Sequence, residues 1–161
     1  MQNKIAGIVL RPTQISDLEV LFLFQRDQEG QHLAAFMPTD TADKPAYIAR
    51  HTHLIDDPTI TYQTILFKNR IVGSIAAFIL NGHTEITYWL DRSVWGRGIA
   101  TEALGAFLKI EQRRPLYGRV AFDNVGSHIV LGRGGFIKTG VDKGFANARH
   151  QEIEEFIFRL D

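Results

Sequence analysis

The chain contains no cysteine, and that absence excludes two kinds of construction at once. No disulfide can staple it, and no thiolate can hold a zinc ion. A cysteine-free chain suits a reducing cytosol, so a cytoplasmic location is the expectation. Net charge is absent too, because 18 Lys and Arg stand against 18 Asp and Glu. Nucleic acid and anionic membranes normally need a basic face, so neither is expected as a partner. No apolar run approaches the ~20 residues of a membrane span. Met1 to Ala6 carry one Lys and no long apolar region, so no signal peptide is read there. Repeats, low-complexity tracts and Pro/Gly/Ser linkers are also missing. What remains is a chain of 161 residues. A chain of this size buries roughly 70% of its unfolded surface, and the expectation is one domain over residues 1–161.

The elements follow from pattern and punctuation. Ile8-Val9-Leu10-Arg11 reads as a short strand stopped by Pro12. Ser16 and Glu19 have capping-box spacing, and Leu18, Leu21 and Phe22 give the following helix one apolar face. Residues Gln25 to Asp43 read as a polar, Pro-containing stretch, and a second helix is expected from near Pro45 to just before Asp56. Thr61 to Phe67, Arg70 to Leu80 and Thr84 to Leu90 are three strands, with Lys68-Asn69 and Asn81-Gly82 as their turns. A loop from Asp91 to Gly98 leads to a helix from Ile99 to about Arg113. Its inner face is Ile99, Ala100, Ala103, Leu104, Phe107 and Leu108. A strand over Leu116 to Phe122, a helix over Val125 to Arg133 and strands over Phe136 to Val141 and Glu152 to Leu160 complete the chain. Hairpins imply antiparallel pairs, and the strand-helix-strand passage from Thr84 to Phe122 implies a parallel one. The expected fold is α/β in the α+β sense: a mixed, mostly antiparallel sheet of about seven strands with helices on both faces.

Trp95-Gly96-Arg97-Gly98-Ile99-Ala100-Thr101-Glu102-Ala103 lies between a strand and a helix. Glycines let the backbone approach a ligand closely, and the first helical turn offers free N–H groups and the positive end of a dipole. Together they make an anion site suited to a pyrophosphate, and Arg97 adds a charge for a further phosphate. On the residues alone, a loop with two turn glycines is an equal alternative. A dinucleotide fingerprint fits worse, since Thr101 stands where it needs Gly or Ala, and a Walker A motif lacks its Gly-Lys-Ser/Thr.

The strand Glu85-Ile86-Thr87-Tyr88-Trp89-Leu90 followed by Trp95 to Ala103 resembles the cofactor motif of the GNAT N-acetyltransferases. The subgroup it most resembles is that of the ribosomal-protein N-terminal acetyltransferases. Asn124, Ser127, Leu131 and Gly135-Phe136 match that subgroup's second motif in spacing, and the opening Leu10-Arg11-Pro12-Thr13 matches as well. The pattern departs in two places. Ser93 stands three residues before the first glycine, where the family often has Gln or Arg. Leu131 stands where many members carry a Tyr acid.

The resemblance implies acetyl-CoA as cosubstrate. Backbone groups near Tyr88, Trp89 and Leu90 would pair with its pantetheine arm. The N–H groups of Gly96, Gly98 and Ala100 would hold its pyrophosphate within the loop that also contains Trp95, Ile99 and Thr101. Asn124 would meet the pantetheine or the departing thiol. The acceptor implied is a primary amine: a protein N-terminus, an amino acid, a polyamine or an antibiotic. The resemblance leaves a homodimer open.

Amine attack on a thioester needs a neutral amine and an acid for the leaving thiolate. Glu85 is the base candidate, with a solvated carboxylate after the Asn81-Gly82 turn as its alternative. Ser127 is the acid candidate, with a helix cap as its alternative. No metal site is expected. His51 and His53 are two apart and so face different ways on a helix, and both read as surface residues. Gly132-Arg133-Gly134-Gly135 reads as a helix stop. Lys143 to His150 reads as a polar loop bordering the acceptor site, where Arg149 and His150 either select a carboxylate or are simply solvated. Trp89 and Trp95 read equally well as core or as cofactor walls. The rival readings are a non-catalytic acyl-CoA-binding or sensing domain and a nucleotide-binding regulatory module.

Overall fold

The computed structural model describes residues 7–161, and the reading of Met1 to Ala6 lies outside them. Seven strands form one sheet in the order β1-β2-β3-β4-β5-β7-β6. They are β1 (Ile8–Pro12), β2 (Thr61–Phe67), β3 (Arg70–Leu80), β4 (His83–Leu90), β5 (Leu116–Ala121), β6 (Ile137–Ala146) and β7 (Gln151–Leu160). Every neighbouring pair is antiparallel except β4 and β5. The helices are α1 (Leu18–Gln25), α2 (Gln28–Ala34), α3 (Lys44–Asp56), α4 (Ile99–Ile110) and α5 (Val125–Arg133). No described helix is long and apolar enough to cross a membrane.

The two tight hairpins are set by their turn residues. Lys68 and Asn69 have φ of 52° and 65°, and Asn81 and Gly82 have 51° and 80°. Two consecutive positive φ values match the right-handed twist of the flanking strands. Strand alternation then divides the side chains between the faces. Ile75, Ala77 and Ile86 join Ala103, Leu104 and Phe107 of α4 and Leu131 of α5 in the larger core. Leu18, Leu21 and Phe22 of α1 pack with Tyr47 of α3 in a smaller one, on the face where Trp89 donates its indole N–H to the Phe24 carbonyl at 3.0 Å.

Four expectations are corrected. The stretch from Gln25 to Asp43 contains α2, capped by Asp27, whose carboxylate accepts from the Gly30 N–H at 2.9 Å. Gly30 is its one buried residue, so no apolar stripe announces the helix. A Cβ on Gly30 would come within 2.8 Å of the Trp89 ring. The first helix is introduced by a 3₁₀ turn over Ile15–Asp17, and Asp17 takes the role expected of Ser16 and Glu19. Its buried carboxylate accepts from the Gln14 N–H, from Thr64 and from both arms of Arg11. α4 ends at Ile110, because Glu111 turns inward and is 3% exposed, bound by Arg113 and Thr61. Lys143 to Ala146 extends β6 instead of opening a loop.

Candidate active site

β4 and β5 are paired only at Thr84↔Leu116, Glu85↔Tyr117 and Ile86↔Gly118. Beyond Ile86, β4 stays with β3 and β5 stays with β7, so a cleft opens between the two parallel strands. α4 begins at the mouth of this cleft. Its N-cap, Gly98, has φ of 78° and supplies no side-chain cap. Its first-turn N–H groups are therefore left for another acceptor. Gly96 has φ of 74°, and a Cβ there would meet nothing within 4 Å. Glycine is demanded at both positions by backbone dihedrals that other residues rarely adopt.

A cavity of about 580 Å³ lies where the end of β4 and the starts of α4 and α5 converge. Tyr88, Trp89, Leu90, Trp95, Gly96, Gly98, Ile99, Ala100, Thr101 and Asn124 all line it, so the sequence motif converges on one space. The bare glycine backbone and the uncapped helix start fit a pyrophosphate. Arg133, read from sequence only as part of a helix stop, also lines the cavity. Arg97 does not line it; its guanidinium lies 5.1 Å from the centre of the Phe67 ring. The Trp95 indole donates to the Leu90 carbonyl at 3.1 Å, which fixes the loop against the end of β4.

α5 starts across the cleft. Asn124 is its cap, accepting from the Ser127 N–H at 3.4 Å and donating to the Leu33 carbonyl at 3.3 Å. Ser127 is thus the capped residue and not the cap. Its hydroxyl accepts from the Tyr88 phenol at 2.9 Å, and its own O–H keeps a direction to spare. Burial pushes the Tyr88 phenol above its ordinary range, against the opposing hydrogen bond to Ser127. Sequence reasoning used Tyr88 only for its backbone; its phenol, reaching Ser127 across 39 residues of chain, carries no local signal.

A larger cavity of about 770 Å³ lies beside the first, lined by Glu85 to Trp89 of β4 and Gly118 to Ala121 of β5. It shares Ala34, Tyr88, Trp89, Asn124 and Ser127 with the first. Glu85 lies in its floor with a side chain only 5% exposed, so the solvated-carboxylate alternative is overturned. Its Oε1 accepts from Arg119 Nε at 3.0 Å, and no described residue donates to its Oε2. That oxygen is not sealed off, since among the described residues no buried side-chain polar atom lacks a partner. Arg119 also reaches Asp142 and Glu155, each at 3.3 Å. Glu155 titrates above the usual carboxylate range because burial outweighs its bond to Arg119, with the charges of Asp142 and Glu85 adding to the rise. Arg119 and Glu155 were not read from the sequence.

Two other expectations change. His51 is not a surface residue: its Nδ1 lies 2.8 Å from the Tyr62 hydroxyl, and its ring stacks on Tyr47 at 3.9 Å. Burial, and secondarily Arg50, push its pKa down to about 4, so the ring is neutral at physiological pH. Burial likewise pushes Tyr62 up to about 12. Arg149 is not available to select a carboxylate substrate. Its side chain is 5% exposed, forks onto Asp123 at 2.8 and 2.9 Å and donates to the His32 carbonyl.

A splayed parallel pair running into a glycine-started helix is the construction of an acyltransferase. Residues 8–137 match the acetyltransferase (GNAT) domain, and the chain belongs to that family. It is an acyltransferase whose cosubstrate is acetyl-CoA. An uncharacterized N-acetyltransferase, p20, of Bacillus licheniformis is 25% identical over 95% of this chain and 92% of its own. A microcin self-immunity acetyltransferase, solved with acetyl-CoA and AMP, superposes with a TM-score of 0.80 at 18% identity, over 96% of this chain and 92% of its own. The ribosomal alpha-N-protein acetyltransferase RimL, solved with coenzyme A, gives 0.79 at 19% identity over 94% and 93%. The ribosomal-protein-S5-alanine acetyltransferase of Vibrio fischeri gives 0.77 at 19% over 98% and 94%. These structures share the fold.

Proposed function

We propose that the chain transfers an acetyl group from acetyl-CoA to a primary amine, a protein N-terminus or a small molecule, by direct attack in a ternary complex. In this reading residues 1–161 act as one cytoplasmic domain. The observation that carries it is the meeting of the two cavities at Tyr88, Asn124 and Ser127, with the Glu85 carboxylate in the floor of the second. A donor in one and an acceptor in the other would meet at these shared residues.

Acetyl-CoA, when bound, supplies an acetyl group activated as a thioester. Gly96, Gly98 and the first N–H groups of α4 would hold its pyrophosphate, and the unpaired edge of β4 from Thr87 to Leu90 would hold its pantetheine arm. Glu85 Oε2 takes a proton from the incoming ammonium, leaving a neutral amine. Arg119 keeps the other oxygen fixed and so orients the carboxylate. Ser127 Oγ, accepting from the Tyr88 phenol on one side, gives its own proton to the departing sulfur and regains the one that the attacking nitrogen loses as the amide forms, while Glu85 releases the ammonium proton to solvent. The experiment is an acetylation screen with amines and peptides, read as thiol release and product mass. Saturable acetyl-CoA binding with no acetylated product across the library would contradict the proposal in favour of a sensing domain.

A further inference from the structure

The acceptor cavity has a chemical gradient that narrows the amine. At one end, Glu85 offers an unpartnered carboxylate oxygen from a side chain 5% exposed. Glu155 stands beyond the shared Arg119. Along the rest run apolar and aromatic side chains, Tyr62 buried and Phe36, Met37, Leu54 and Phe78 half-buried. Phe78 is the cross-strand partner of Glu85, so apolar surface begins one strand from the carboxylate.

The cations around this space are already engaged. Arg119 serves Glu85, Asp142 and Glu155. Arg50 is paired with Asp40 at 3.3 Å, and Arg149 is committed to Asp123. His51 is neutral at physiological pH. A substrate carboxylate would therefore enter beside two glutamates with no unpaired cation among the lining residues, which is costly. Asp57, at the far rim, accepts from the N–H and hydroxyl of its own neighbour Thr59, so a second ammonium would have to compete with that turn.

Resting on the reading above, we propose that the acceptor is an ammonium on an apolar, aromatic-sized body with no carboxylate beside the nitrogen, an arylalkylamine in class. Its nitrogen docks at Glu85 Oε2 and its body lies along Phe78, Leu54 and Phe36.

The test compares kcat/KM for 2-phenylethylamine, phenylalanine, spermidine and an unblocked alanine-initiated peptide, with acetyl-CoA and the full chain. Phenylethylamine is expected to exceed each of the others at least tenfold. Phenylalanine equal or better, or spermidine or the peptide as the best substrate, overturns the inference while leaving acetyl transfer to amines intact. Failure of every amine despite acetyl-CoA binding overturns the proposed function itself, and this inference with it. Phe78→Ser supplies the second readout. It should lower kcat/KM for phenylethylamine about tenfold while changing ethylamine little. Equal changes for both amines would remove Phe78, and the docking of the body, from the account.

Discussion

The two halves of the site are made from different material. The proposed cofactor cleft is backbone: an unpaired strand edge, two glycines with positive φ and an uncapped helix start. The proposed acceptor floor is side chain: Glu85 of β4 and Glu155 of β7 share the Arg119 guanidinium of β5, which also reaches Asp142 of β6. A backbone site needs a continuous stretch of chain and tolerates variation in most side chains. A side-chain site needs a few residues brought from far apart, and each one counts. Substitutions should therefore separate the halves cleanly, altering cofactor affinity on one side and turnover on the other.

The largest expected effect is on the side-chain half. Glu85→Gln keeps the shape and removes the base, so kcat should fall by ~10²-fold at neutral pH while CoA affinity stays unchanged. Raising the pH should recover part of the loss, because more of the amine is then neutral. Wild-type rates at every pH would remove Glu85 from the chemistry. On the backbone half, Gly98→Val should weaken CoA binding at least tenfold, about 1.4 kcal/mol. It places a β-branched residue at φ of 78°, so some melting temperature is lost too. Gly98→Asn tolerates that dihedral far better and should weaken CoA with little loss of stability. Unchanged affinity in both variants, by calorimetry, would detach the loop from the pyrophosphate.

Where the halves meet, the effects should be smaller. Ser127→Ala should slow the single-turnover rate roughly tenfold, less than the ~10²-fold or more typical of a positioned acid or base, with acetyl-CoA affinity nearly intact. Tyr88→Phe should cost less, since Ser127 keeps its own proton. A loss of affinity without a slower rate would make Ser127 a binding residue. The smallest effect is on stability. The ordinary His pKa of 6.5 falls to about 4 in the folded chain. Below pH 6.5 the unfolded chain takes up a proton that folded His51 refuses. Stability attached to this residue is thus full above pH 6.5 and drains as the pH falls toward 4. Melting curves from pH 7 to 4.5 should decline, and His51→Gln should flatten the decline. An identical slope in the variant would assign the pH dependence elsewhere.

The same contrast explains what could be read from the sequence. Gly96, Gly98 and the apolar face of α4 are neighbours in the chain, so their geometry is written locally and the cleft was legible. So were the strands and the two hairpins, whose turn pairs demand positive φ. Arg119 is a single charged residue in Leu116–Ala121, and its partners lie 34, 23 and 36 residues away. No periodicity marks such a cluster. Glu85 was legible as a candidate, but its burial and its clamp depend on β5 and were not. α2 escaped because it buries only Gly30 against Trp89, a contact made by the absence of a side chain.

Direct transfer where the two cavities meet is the claim on which the rest depends, and intact-mass measurement under single-turnover conditions addresses it. With acetyl-CoA alone the chain should keep its unmodified mass. On adding an amine that the chain acetylates, the acetylated amine and free CoA should appear together in one phase. An acetylated chain formed before the amine is added, and consumed when it arrives, would contradict the account by placing a covalent step where the two cavities are held to meet.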